Sequence, residues 1–179
     1  TVQADGIGIG SASFTASNDD YVDCGDAVSG ISDYPFSVTG WFKAGASTDG
    51  MLFAINDESV SSLDYKLLLR ASSGEGNLRL TAREPSSNGG SGGDAETSPN
   101  TANEFNDNEW HHFGAVFTNN TSRTLYVDGV NRASNTTDID FIAATDSFVI
   151  GANNDNNTTN KEFQGNIAQV GLWSKALTQ

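Results

Sequence analysis

Two adjacent histidines, His111 and His112, follow a carboxylate and a tryptophan in the segment EWHHFGAVF. Imidazole and carboxylate groups build metal centres and acid/base sites, so this segment is the first candidate for chemistry. It has the composition of a strand, in which alternate residues point to opposite faces. The two imidazoles should therefore diverge, and the sequence offers no third histidine and only one cysteine. The spacing predicts that this segment is a structural strand and does not bind zinc.

Basic side chains form the second candidate site. If DYKLLLRA and NLRLTARE pair through a two-residue turn at Ser73-Gly74, four of the nine Lys and Arg residues share one strand face. Arginine recognises carboxylate and sulfate through its bidentate fork, so this face would suit an acidic glycan. The alternative is a solvated face on which Arg83 pairs with Asp64. The predicted ligand-binding residues are Lys66, Arg70, Arg79 and Arg83.

The overall charge narrows the classes of partner. The chain has 179 residues, 23 acidic against nine basic, and a formal net charge of −14. Nucleic-acid backbones and anionic membrane surfaces would be repelled by such a chain. No run approaches the roughly 20 apolar residues that a membrane span needs. We therefore expect no nucleic-acid partner and no membrane insertion.

The elements that must position these residues are strands. Ten or more short segments with strand character are separated by Gly, Asn, Asp and Ser turns, and no window longer than ten residues keeps a helical period. This pattern predicts an all-β, antiparallel two-sheet β-sandwich of jelly-roll type, with residues 1–179 as a single domain. We expect polar loops at Pro85–Asn108 and Ala152–Lys161. The dipeptide Asp128-Gly129 suits a tight hairpin turn.

Several motifs together resemble one family. These motifs are EWHHFxAVF, LYVDG, FVIG and FQGNIAQVGLWSKAL, with DDYVDCGD and PFSVTGWFKA near the start. The sequence is similar to the laminin-G-like and pentraxin-like branch of the concanavalin A-like lectin/glucanase folds. This resemblance covers essentially the whole chain and implies a jelly roll used to bind glycans, proteins or surfaces.

The resemblance also implies a calcium site. Pentraxin-like proteins use oxygens that follow the Ile-Gly turn, and IGANND places Asn153, the Asn154 carbonyl and Asp155 at those positions. Asp64 matches an earlier ligand position of the family, and Asp57 lies nearby in sequence. Calcium takes six to eight oxygen ligands, which an Asn/Asp-rich loop can supply. Asn153 stands where the family has a carboxylate, and a solvated Asn-rich loop is the alternative.

A catalytic role lacks the residues it would need. Glucanases of this fold carry alternating acids in an E-x-D-x-x-E pattern, whereas Asp138 and Asp140 are followed by Phe-Ile-Ala-Ala. No serine lies in a G-x-S-x-G nucleophile elbow. The sequence therefore predicts a binding module and not an enzyme.

The expected ligand is a glycan or cell-surface ligand, with calcium as a candidate cofactor. We expect the protein to be extracellular or exposed on a cell or virion surface. The alternatives are a structural domain, such as a virion decoration or fibre protein that contacts partner proteins, and, third, a polysaccharide hydrolase or lyase.

Overall fold

The computed structural model describes residues 2–3, 10–46, 49–57, 64–70, 76–83, 92–96, 104–141, 145–155 and 158–179, without the side chains of residues 2, 3, 95, 96, 155 and 158. Across these ranges the chain consists mainly of antiparallel strands, and the helix present there is the three-residue 3-10 turn Ala16–Asn18. No helix in the same ranges is long and apolar enough to cross a membrane. The predicted all-β class is confirmed.

One layer of the fold is a seven-stranded antiparallel sheet. Its strands are β1 (Val2–Gln3), β2 (Ser11–Phe14), β4 (Phe36–Lys43), β9 (Trp110–Asn119), β10 (Ser122–Val127), β11 (Val130–Asn135) and β15 (Gly165–Trp173). Their spatial order is β1-β2-β15-β4-β9-β10-β11. The turn between β10 and β11 has positive φ at Asp128 (53°) and Gly129 (74°). A tight hairpin requires this conformation, as the Asp-Gly dipeptide predicts.

The other layer is a six-stranded antiparallel sheet. Its strands are β3 (Val22–Asp23), β5 (Gly50–Asn56), β6 (Asp64–Arg70), β7 (Asn77–Arg83), β8 (Gly92–Glu96) and β12 (Ser147–Ile150). Their spatial order is β3-β12-β5-β6-β7-β8. The predicted pairing of β6 with β7 is present, with Arg70 opposite Asn77 and Asp64 opposite Arg83. The turn expected at Ser73-Gly74 lies outside the described residues.

Phenylalanine fills the space between the two sheets. Nine of the ten phenylalanines are at most 5% exposed, and Phe141 packs against the same core. Phe36 stacks on Phe117 with ring centroids 4.5 Å apart, which joins β4 to β9. Burying an aromatic side chain of this kind stabilises the fold by roughly 1.5–3 kcal/mol. Most inward-facing side chains of the long strands are therefore apolar, with Arg123 of β10 as a buried exception.

Two expected loops contain strands. Pro85–Asn108 was predicted to be a polar loop, yet β8 lies within it and pairs with β7. Farther along the same segment, Phe105 is 1% exposed and Asn106 donates to the Ala46 carbonyl over 3.0 Å. Ala152–Lys161 was also predicted to be a loop, but β13 (Asn153–Asp155) and β14 (Thr158–Asn160) form an antiparallel hairpin there. Backbone pairing forms these strands without an apolar pattern, so the loop predictions were wrong in part.

Candidate functional site

The two histidines of the opening motif lie on opposite sides of β9. His111 packs against Phe42 and Phe105, whereas His112 contacts Trp41. Asp128 accepts from the His112 backbone N–H over 2.8 Å, and its other oxygen lies 2.8 Å from His111 Nδ1. These contacts attach the β10–β11 turn to β9. The described residues contain no group of three or more His, Cys, Asp or Glu side chains arranged to hold a metal.

Four cations form a strip on the outer face of the six-stranded sheet. Lys66 and Arg70 alternate on β6 with buried core residues, and Arg79 and Arg83 do the same on β7. The register places Arg79 opposite Leu68 and Arg83 opposite Asp64. We call these four residues the basic strip. The structure thus brings together all four side chains that the sequence predicted to share a face.

The cations of the basic strip differ in their partners. Lys66 forms an ion pair with Asp64, and Arg79 Nη1 lies 3.6 Å from Asp94 Oδ2. Asp94 also accepts from the Thr81 hydroxyl over 2.7 Å. The Arg83 guanidinium forms no ion pair or hydrogen bond with any described residue, and the predicted Arg83–Asp64 ion pair is absent because the Asp64 carboxylate pairs with Lys66 instead. Arg83 is therefore the strip residue whose guanidinium is most available to an incoming anion.

A buried polar cluster lies beside the basic strip. Ser147 of β12, Asn56 of β5 and Asp64 of β6 are consecutive cross-strand partners, and each is at most 1% exposed. Ser147 Oγ, Asn56 Oδ1 and Asp64 Oδ1 have no hydrogen-bond partner in the structure as described. Buried polar oxygens normally have such a partner. We call Ser147, Asn56 and Asp64 the oxygen cluster.

Three of the predicted calcium ligands, Asp64, Asn153 and Asn154, belong to this oxygen cluster or contact it. Asn56 Nδ2 donates to Asn153 Oδ1 over 3.2 Å and also to the Asn154 carbonyl. Asn153 is 3% exposed, and Asp57, which follows Asn56 directly, is 8% exposed. The backbone of Asp155 lies in β13, but its side chain is outside the description. The hairpin therefore brings Asn153 and Asn154 to Asn56, which is the cross-strand partner of Asp64.

Sequence reasoning missed Asn56, Ser147 and Asp94. Asn56 ends the apolar run GMLFAIN and Ser147 opens SFVIG, so each is a single polar residue at the boundary of a buried strand. A polar residue at the end of an apolar strand could have been recognised as a candidate site residue, because it needs a hydrogen-bond partner when it is buried. Asp94 had no signal, because its strand carries no apolar alternation.

A family model described as the concanavalin A-like lectin/glucanases superfamily matches residues 16–179. No curated protein sequence matches the chain. The fold is similar to that of the K499G mutant of NanB sialidase from Streptococcus pneumoniae, with a TM-score of 0.73 and 17% identity. That match covers 94% of this chain and 26% of the sialidase chain, so the protein spans about a quarter of that relative.

Two further solved structures are similar in fold. One is the CBM40 domain of Ruminococcus gnavus IT-sialidase bound to α2,3-sialyllactose, with a TM-score of 0.63, 13% identity, and coverage of 82% of this chain and 79% of that one. The other is domains LG4-5 of the mouse laminin α1 chain, with a TM-score of 0.57, 19% identity, and coverage of 83% and 40%. At these identities the similarity shows the fold.

Proposed function

The chain belongs to the concanavalin A-like lectin/glucanases superfamily, and from this membership we propose that it is a non-catalytic carbohydrate-binding domain whose basic strip recognises an acidic glycan. The observation that carries the proposal is the position of Arg83. Its guanidinium has no partner among the described residues and lies on the same face as Lys66, Arg70 and Arg79. A glycan carboxylate or sulfate would supply the missing acceptor.

The charge distribution favours an acidic ligand at this place. Four of the nine cations of a chain with net charge −14 lie on two adjacent strands. An unspecific solvated face would not require this concentration. The CBM40 domain with a similar fold binds α2,3-sialyllactose, a glycan that carries a carboxylate. That relative supports the ligand class, and the basic strip supplies a physical reason for it in this chain.

Calcium is proposed to assist the site. The three unpartnered oxygens of the oxygen cluster, together with Asn153, the Asn154 carbonyl, Asp155 and Asp57, are donors of the hard type that calcium prefers. Calcium at Asp64 would compete with the Lys66 ammonium, which now pairs with that carboxylate. Lys66 would then be released toward the glycan. In this way calcium binding would strengthen the basic strip.

The proposed setting is extracellular or at a cell or virion surface, where acidic glycans are available. The proposal needs no catalytic residue, because recognition by ion pairs and hydrogen bonds leaves the ligand unchanged.

Binding to 3′-sialyllactose and to lactose, measured by titration calorimetry, tests the proposal. The wild-type protein should bind 3′-sialyllactose, and Arg83→Gln should weaken that binding about tenfold, since one charge-assisted hydrogen bond contributes roughly 1.5–3 kcal/mol. Lys43→Gln removes the same charge from the seven-stranded sheet and should have no effect. If a panel of sialylated, sulfated and uronic-acid glycans gives no binding, or if both variants behave alike, the proposal is wrong.

A further inference from the structure

All three tryptophans of the chain lie on the outer face of the seven-stranded sheet. Trp41 is opposite His112, Trp110 is opposite Lys43, and Trp173 is opposite Ser37. Trp173 is 44% exposed, and its indole N–H donates to the Thr39 hydroxyl over 3.1 Å. The core is filled by phenylalanine instead. The large amphipathic indole rings therefore lie on the outer face of the sheet and not in the core.

A cavity of about 140 Å³ opens on the same face. Gly114 and Val116 of β9 lie against it, with Thr39, His112 and Tyr126 beside them and residues 177–179 on its other side. Ser37 holds this last segment over the sheet, because its hydroxyl donates to the Lys175 carbonyl over 2.8 Å and accepts from the Leu177 N–H over 3.1 Å. An enclosed cavity of about 150 Å³ holds benzene, so an open cavity of similar size can take one face of a six-membered ring.

Gly114 leaves this space open although the fold does not require a glycine there. A Cβ added at Gly114 would meet only Tyr126 Cβ, at an ordinary contact distance of 3.7 Å. By contrast, a Cβ at Gly40 on the neighbouring strand would come within 2.8 Å of the Phe113 ring. Glycine in the middle of a strand is destabilising by roughly 0.5–1 kcal/mol relative to alanine. The cavity at Gly114 is therefore kept at a cost in stability.

The groups around the cavity suit an uncharged, hydroxylated ring. Burial lowers the pKa of His112, and Asp128 raises it by a smaller amount, so the imidazole is neutral at pH 7 and both donates and accepts. No described residue bonds the His112 ring nitrogens or the Tyr126 hydroxyl. The described side chains that line the cavity are uncharged residue types, which suits the hydroxyls of a neutral ring.

We propose that this cavity, flanked by Trp41 and Trp173, binds one ring of a neutral glycan and is a second binding site separate from the basic strip. The apolar face of a pyranose packs on the surface of Gly114 and Val116, while its hydroxyls bond His112 and Tyr126. A second copy of the chain does not suit this face, because two molecules of charge −14 repel one another.

Screening an array of neutral oligosaccharides tests this site. Any member that binds is then titrated into the protein, with tryptophan fluorescence as the signal. The wild-type protein should bind at least one member, and its fluorescence should change. Gly114→Thr should fill the cavity and weaken that binding by about tenfold or more without lowering the melting temperature. Gly45→Thr, at a glycine with no atom within 4 Å of its added Cβ, should bind as wild type does.

Arg83→Gln should leave neutral-glycan binding intact, and Gly114→Thr should leave 3′-sialyllactose binding intact, which separates this proposal from the first. If Gly114→Thr lowers the melting temperature, Tyr126→Phe replaces it, because that change removes only the hydroxyl and should also weaken binding. Absence of binding to every neutral member of the array would overturn the proposal. Equal binding by wild type and by the folded cavity variant would do the same.

Discussion

Arg123 is a buried cation that holds the far edge of the sandwich together. It is 1% exposed, and its guanidinium donates to Asn135 Oδ1 over 2.6 Å and to the carbonyls of Asn120 and Thr137 over 3.1 and 2.6 Å. Burial lowers its pKa, and nearby Tyr34, Tyr65 and two carboxylates raise it by smaller amounts. A buried charge is tolerated when its hydrogen bonds are complete. Arg123 therefore links Asn120, Asn135 and Thr137 at this edge of the sheet.

Gly93 of β8 should be intolerant of any side chain because of Arg123. A Cβ added at Gly93 would lie 1.8 Å from Arg123 Nη1, whereas one at Gly92 would meet only Arg83 Nε at 3.6 Å. Gly93→Ala should destabilise the protein by about 1–3 kcal/mol through overpacking, and Gly92→Ala should be close to neutral. Thermal unfolding of the two variants checks this. Equal melting temperatures would show that Arg123 does not occupy this position.

His112 should make stability depend on pH. Its pKa in the folded protein lies below the ordinary value near 6.5, so between these two values the unfolded chain binds more protons than the folded one. Stability should therefore fall as pH decreases below about 6.5. His112→Gln should remove this pH-dependent contribution to stability. The melting temperature of wild type should therefore exceed that of the variant by less at pH 5 than at pH 7.5. A difference in melting temperature that stays constant with pH would contradict the assignment.

Strand alternation predicted the shared face of the basic strip, because the face of the sheet on which a side chain lies depends only on its position along its own strand. It could not predict which carboxylate would pair with which cation. The expected partner of Asp64 was Arg83 on the next strand, and its observed partner is Lys66, two residues along β6. Both arrangements fit the same register, and only side-chain geometry separates them.

At the scale of elements, long strands with apolar alternation were predictable and short polar strands were not. The segments that became β4, β5, β6, β7 and β9 each place apolar side chains toward the core. The sequences of β8 and of the β13–β14 hairpin have no such pattern. The backbone of β8 pairs because β7, which is fixed by the core, presents free donors and acceptors. That information is tertiary and is absent from any short window of sequence. The strands β13 and β14 pair with each other in a local hairpin whose polar residues give no strand pattern.

The β13–β14 hairpin should respond to calcium if the proposed ion site forms. Binding to the folded state alone adds roughly 2.7 kcal/mol at a hundredfold excess over Kd, which is several degrees of melting temperature for a domain of this size. Millimolar calcium should therefore raise the melting temperature, and Asp155→Asn should abolish most of that increase. Asp49→Asn, at an exposed loop position, is the matched control. A calcium effect no larger than that of magnesium would show that the site is absent.

At the scale of the whole molecule, the two outer faces have different chemistry. The six-stranded sheet carries the basic strip and the seven-stranded sheet carries the three tryptophans. An acidic chain repels anions at a distance, so the proposed binding of an acidic glycan requires direct contact with the basic strip. The resemblance in sequence motifs predicted the family, which the match over residues 16–179 confirms. Strand alternation predicted the shared face of the four cations, whereas the cavity beside Gly114 is visible only in the folded protein.

The central claim is that Arg83 and its neighbours contact an acidic glycan. The Nε–Hε NMR resonances of arginine report this contact most directly. They are recorded during titration with 3′-sialyllactose and, separately, with lactose. The proposal predicts that the Arg83 resonance, assigned by its loss in Arg83→Gln, shifts with 3′-sialyllactose and stays in place with lactose, while that of buried Arg123 stays in place with both. An unchanged Arg83 resonance at a glycan concentration that saturates binding would contradict the account.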